Sequence, residues 1–349
     1  MVTASLMAVN AAERADSRED TPRDFASLGY ICSLFGATRL TQHYFAQARA
    51  AKQSYDALVL EALYRLGQGH WAEAVGALSG AEAVSAQAAD PQDAETVQAL
   101  LAHVEHYLGR FQAAIERYSR VLASARRRKN RQSEAWALYG TARSLITLGF
   151  PERGVDLCEQ ALQALAEEPD LLSQVTALGI LLNGAALGRQ LSRAEGPAAL
   201  LDKLLTGARP TAFAMLHGWE GQSEYQLARW QLARAAGPAS EELTARRAAQ
   251  AAIGRLFKAV RIFPFAEPWA WRLRARALLL AGKARSARVA FEHSARSASR
   301  LSMPFDEALA YAGLAHTFDR SSAGQDLVRK MHSDRADAVF SQLGCVRGA

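Results

Sequence analysis

Glycine returns at residues 69, 109 and 149, forty residues apart, and no other feature of the chain restricts its fold more. The surroundings of each are alike. An alanine stands seven residues before it (Ala62, Ala102, Ala142) and a small residue five after it (Ala74, Ala114, Gly154). Gly188 follows thirty-nine residues on, and Gly282 is flanked in the same way by Ala275 and Ala287, with Phe291 beyond. A fixed period of this length marks an array of structural repeats. Between the breaks, apolar residues fall at i, i+3, i+4 and i+7 in segments rich in Ala, Leu, Glu, Gln and Arg, and runs of β-branched residues are nearly absent. Each period therefore reads as two helices joined by a tight turn.

The small residues have a physical reason. Where two helices of a hairpin cross, alanine or glycine lets the backbones approach, and a large side chain would push them apart. The glycine of the turn takes the left-handed conformation that ends the first helix. An aromatic just beyond it (Trp71, Phe111) and a large residue lower in the second helix (Leu78, Tyr118, Phe291) fill the wedge between one hairpin and the next. No hairpin of this kind buries its faces alone, so stacking is needed to make a continuous core.

The order small residue, glycine, aromatic, alanine, large residue resembles the tetratricopeptide repeat, whose basic unit is shorter at 34 residues. The longer period is similar to the extended solenoids in the helical C-terminal regions of large bacterial signalling ATPases, adenylate cyclases and kinases. The stretch Leu301–His316 resembles a segment found near the end of such arrays. The match is strong over 55–163 and 269–300 and weak over 171–263, where no clean pair of small residues survives. The resemblance implies an all-α, right-handed superhelical α-solenoid of about seven to eight antiparallel hairpins. Turns are expected near Gly36, Gly69, Gly109, Gly149, Gly188, Gly237 and Gly282, with an N-terminal arm over 1–22, one solenoid over 23–349 and a closing helix pair over 305–344.

The resemblance also implies that the first helix of each hairpin lines a concave face. In the Gly109 hairpin that face falls on Thr96, Ala99, His103, His106 and Tyr107. In the Gly149 hairpin it falls on Trp136, Tyr139, Arg143, Ile146 and Thr147, and in the Gly282 hairpin on Trp269, Arg272, Arg276, Leu279 and Leu280. From these, His103, His106, Tyr107, Trp136, Tyr139, Arg143, Trp269, Arg272 and Arg276 form the expected partner-binding set, since aromatics and arginine dominate recognition surfaces. The same rings are also suited to plug the space between repeats, and both uses stay open at Trp136 and Tyr139.

Charge is unevenly placed. Between residues 244 and 300 thirteen basic residues face only Glu267 and Glu292, a local +11 in a chain of net charge +6. Such a field favours an acidic or phosphorylated protein segment and equally suits an acidic portion of the same protein or of a second copy, with nucleic acid the lesser option, since no recognised reading motif accompanies the charge. The run Arg126–Arg131 sits at a helix end, where cations oppose the macrodipole.

Chemistry is sparse. His103 and His106 can share a helix face, but a metal needs a third ligand that the neighbourhood lacks. No phosphate-binding glycine loop and no nucleophile signature is present, so no cofactor and no catalytic residue is expected. Three scattered cysteines give no disulfide framework and suit a reducing cytoplasm. No apolar run is long enough to cross a membrane, and the first twenty residues lack a basic start of the secretory kind. The expected function is that of a non-enzymatic scaffold or adaptor, holding a partner peptide or helix in a concave aromatic and basic groove within a bacterial signalling, regulatory or assembly complex. The alternative is a regulatory sensor of a small acidic ligand or nucleotide.

Overall fold

The computed structural model describes residues 21–51, 54–88, 90–319 and 322–346. Among them are sixteen α-helices and no strand. In chain order they are α1 (Thr21–Leu34), α2 (Thr38–Ala50), α3 (Tyr55–Gln68), α4 (Trp71–Ala88), α5 (Pro91–Tyr107), α6 (Phe111–Arg128), α7 (Arg131–Thr147) and α8 (Pro151–Ala164). They continue as α9 (Leu171–Leu187), α10 (Leu191–Leu205), α11 (Leu216–Ala236), α12 (Ala239–Val260), α13 (Glu267–Leu280), α14 (Ala284–Arg300), α15 (Pro304–Ala315) and α16 (Ala323–Gln342). Consecutive odd and even helices pack as eight hairpins. The expected N-terminal arm lies outside the described residues, apart from Thr21 and Pro22, which open α1.

Local chemistry sets the helix ends. Ser54, Asp90, Asn130 and Asp170 cap α3, α5, α7 and α9, each side chain accepting from a backbone N–H of the first turn. Prolines at the starts of α5, α8 and α15 stand where a missing N–H leaves no bond unmade. Gly69, Gly109, Gly149 and Gly282 take positive φ at the turns, as their spacing predicts. The fifth and sixth hairpins differ: Arg189 rather than Gly188 carries the left-handed conformation in one, and Gly237 ends the first helix of the other in an extended conformation.

The small residues lie where helices cross. Ala62, Ala74, Ala102, Ala114, Ala142, Ala275 and Ala287 are fully buried, and a Cβ on Gly154 would fall against Ile146 and 2.9 Å from the carbonyl oxygen of Ala142. The large residues reach onward to the next hairpin. Tyr118 of α6 lays its ring where Gly140 of α7 has no side chain, and Phe291 of α14 does the same to Gly313 of α15. The stretch that lacked a pair within a hairpin has one between hairpins, because the backbones of Gly179 on α9 and Gly221 on α11 touch.

The stack also closes on itself. The Trp71 indole donates to the carbonyl of Leu301 (2.5 Å), and the Gln68 amide donates to that of Ile262 (3.3 Å). The turn at Gly109 abuts Pro304 and Leu343, while the N–H of Val346 donates to Leu148 beside Gly149 (3.0 Å). Turns of the second, third and fourth hairpins thus meet the C-terminal hairpins, and the concave face expected of an open stack is folded inward. No helix among the described residues is long and apolar enough to cross a membrane.

Candidate ligand-binding chamber

Inner helices α5, α7, α9, α11, α13 and α15 converge on the axis and leave a chamber of about 200 Å³. Part of α16 and residues Cys345 and Val346 complete its wall. Aromatic rings make one side. Tyr107 packs on Phe265 (5.1 Å between centroids) and near Trp269 (6.1 Å), with His217 against Trp269 (5.2 Å) and Trp71 stacked behind Tyr107 (5.0 Å). On this platform lies the guanidinium of Arg143, 4.4 Å above the Tyr107 ring and 5.4 Å from that of Trp269. An arginine held so is attracted by the ring faces while its edges stay available for an anion.

A four-member charge network forms another side. Glu224 of α11, 2% exposed, accepts from Arg272 (2.7 Å) and Arg276 of α13. Glu220, one turn earlier, accepts from the second terminal nitrogen of Arg272 (3.3 Å). Helical periodicity makes this possible, since Glu220 and Glu224 are four apart on one helix and Arg272 and Arg276 four apart on the facing one. Burial pushes both carboxyls up. At Glu224 the charges of Arg276 and Arg272 outweigh it and hold the group below the ordinary range. At Glu220 burial prevails over Arg272 and Arg143, and the group is raised to about 7. Asp306, half-buried at the start of α15, is likewise raised by burial, against the pull of Arg272 and Arg143 and a hydrogen bond from Trp269.

Histidines line the inner layer in their neutral form. Burial drives His106 and His217 well below the ordinary imidazole value, and the nearby charge of Arg143 adds to it. The Nδ1–H of His103 donates to the carbonyl of Ala99 (3.0 Å) and lies 2.5 Å from the Tyr118 hydroxyl. His106 instead pairs with Ser144 (3.0 Å). The two imidazoles therefore serve different partners, and no group of three metal-ligating side chains occurs among the described residues.

Of the nine residues expected from the sequence, His106, Arg143, Trp269 and Arg272 line the chamber, Tyr107 supports Arg143, and Arg276 joins through Glu224. His103 lies one layer away against Phe213 and Tyr118. Trp136 and Tyr139 stand apart, between α7 and α9. The Trp136 indole donates to Ser173 (3.0 Å), and Tyr139 is buried with its hydroxyl on the same serine. Sequence reasoning missed His217, Glu220, Glu224 and Asp306. A signal existed for three of them, since His217, Glu220 and Glu224 share one face of a helix.

Among solved structures, a Rap protein complexed with competence and sporulation factor matches 98% of this chain and 99% of its own, at 11% identity and a TM-score of 0.62. A tetratricopeptide repeat protein from Parabacteroides merdae matches 82% of this chain and 100% of its own, at 15% identity and a TM-score of 0.37. No protein-family model matches the chain, and no characterised protein matches it in sequence. The architecture is that of a TPR-type helical solenoid, and the likeness is one of fold.

Proposed function

We propose that the chain is a non-enzymatic interaction module that reads a short ligand in its axial chamber and offers its outer helices to a second protein. The observation that carries this is Arg143. It lies on a ring platform inside a chamber to whose wall every hairpin from the third to the eighth contributes, so a ligand there joins hairpins distant along the chain. A ligand so placed alters how tightly the coil closes, which is how a scaffold becomes a sensor. The Rap protein of the same fold, solved with competence and sporulation factor, supports ligand capture by such a coil. A thermal-shift screen of peptides and small metabolites on the parent and on Arg143→Ala tests the reading. Binders should lose their effect in Arg143→Ala and keep it in Arg296→Ala, an outward control. Binders indifferent to Arg143 would refute it.

The partner expected to be acidic is assigned to the outer surface. Within 244–300, Arg272, Arg276, Arg255 and Arg300 are paired with Glu220, Glu224, Asp202 and Glu267. Exposed Arg247, Lys258, Arg261, Arg274, Lys283 and Arg285 have no carboxylate within 4.0 Å among the described residues. An acidic protein segment docked there should bind steeply less well as salt is added, because exposed charges are screened. Salt-insensitive binding would exclude this surface.

A further inference from the structure

The charges around the chamber do not cancel evenly. Glu220 and Glu224 are matched by Arg272 and Arg276 in contact pairs. Of the other charged groups on the wall, Asp337 is engaged elsewhere, and two are left over. Among the described residues, neither the Arg143 guanidinium nor the Asp306 carboxylate has an opposite charge within 4.0 Å. Asp306 is raised by burial, against the charges of Arg272 and then Arg143 and a hydrogen bond from Trp269, so the charge of Arg143 reaches it without contact. They face one space without meeting in it. Unpaired opposite charges on a partly dry wall are costly unless a ligand completes them.

The rest of the wall limits what that ligand is. A volume of about 200 Å³ falls below the roughly 300–1,000 Å³ of sites that enclose drug-sized ligands, and suits something the size of one residue. A nucleotide would need several uncommitted cations, and among the described residues of the wall Arg143 alone has no carboxylate within 4.0 Å. A purely anionic ligand would satisfy Arg143 and be repelled by Asp306. Ile146, Ile180 and Phe340 supply an apolar remainder.

We propose that the chamber binds a residue-sized zwitterion of the α-amino-acid class, its carboxylate on Arg143, its ammonium on Asp306 and its side chain on Ile146, Ile180 and Phe340. The proposal rests on the chamber being the recognition site, and it specifies the chemistry recognised there. A bidentate guanidinium–carboxylate pair on one side and an ammonium–carboxylate pair on the other make both charges of the ligand necessary. The ligand bridges α7 and α15, so it pins the middle of the coil to its C-terminal hairpin.

The full chain is titrated by calorimetry with the twenty common α-amino acids. The tightest binder is then compared with its N-acetyl form, which lacks the cation, and its amide, which lacks the anion. At least one free amino acid should bind, and each blocked form should bind roughly 10–100-fold more weakly, the usual effect of losing one charge-assisted hydrogen bond. In D306N the free and N-acetyl forms should become equal, and in R143Q the free form and the amide should. Should either variant fail to fold, the comparison of blocked and free forms on the parent decides alone. An N-acetyl form binding as tightly as the free one would overturn the zwitterion and leave the chamber standing as an anion site. Binding by none of the twenty overturns the proposal, while the chamber itself is judged separately by the Arg143→Ala screen.

Discussion

Replacing Glu220 with glutamine should tilt the pH dependence of stability by about 3 kcal/mol. Glu220 is 7% exposed, with one oxygen on Arg272 (3.3 Å) and the other 3.5 Å from Nδ1 of His217. Burial pushes its carboxyl from an ordinary 4.5 up to about 7, against the pull of Arg272 and Arg143. A folded value above the unfolded one means that the stability Glu220 contributes is fully present below about 4.5 and is lost as pH rises through about 7. That gap of about 2.5 pH units, at about 1.36 kcal/mol each, gives the 3 kcal/mol. Glutamine does not titrate, so the unfolding free energy of the variant minus that of the parent should climb by this amount between about pH 4.5 and pH 8. The fixed effect of losing the contact with Arg272 cancels when only the slope is read. Buried histidines act in the opposite sense. His103 is pushed down to about 4 by burial, so its share of stability is present above 6.5 and lost as pH falls towards 4. Subtracting one curve from the other removes the share of histidines that do not touch Glu220, His103 among them. Urea unfolding followed by circular dichroism across the range supplies both curves. A difference flat to within about 0.5 kcal/mol would show that Glu220 titrates as if in water, and the dry chamber wall would be refuted.

Gly140→Ala should destabilise the chain by at least about 1–3 kcal/mol, since the new methyl meets the Tyr118 ring, and the loss should shrink in a Tyr118→Leu background; a double-mutant cycle of denaturation midpoints measures the coupling. Trp71→Phe strands the Leu301 carbonyl and should lower stability by about 1–3 kcal/mol, with faster amide exchange near the end of α14. Glu224→Gln breaks a buried double pair and should cost about 3–5 kcal/mol, against about 1 kcal/mol or less for Arg193→Ala, whose partners Asp156 and Glu159 are exposed; thermal melts of the two compare them directly.

The repeats were legible because crossing geometry is local. A glycine turn and the alanines seven before and five after it lie within one hairpin, so their spacing is written along the chain. The middle was harder to read because its close approach, Gly179 on Gly221, joins two hairpins at a spacing outside the period. Trp71 was legible as a wedge between neighbours, yet its indole bonds to Leu301, 230 residues away, and no local pattern encodes such a contact. The same holds for the chamber. Arg272 and Arg276 were visible as a basic face, but their charges are spent on Glu224 and Glu220, forty-eight or more residues earlier. Net charge counted along a window overstates a surface whenever its cations point inward.

An open stack of hairpins melts from its ends, one neighbour at a time, and tolerates losing a terminal unit. The bonds from Trp71 to Leu301 and from Val346 to Leu148 change that arithmetic. They act as a clasp on a coiled bracelet: undoing it frees links that are distant along the chain together. Trimming the last hairpin would therefore slacken the third and fourth as well, and whatever fastens or loosens the clasp reaches every link at once.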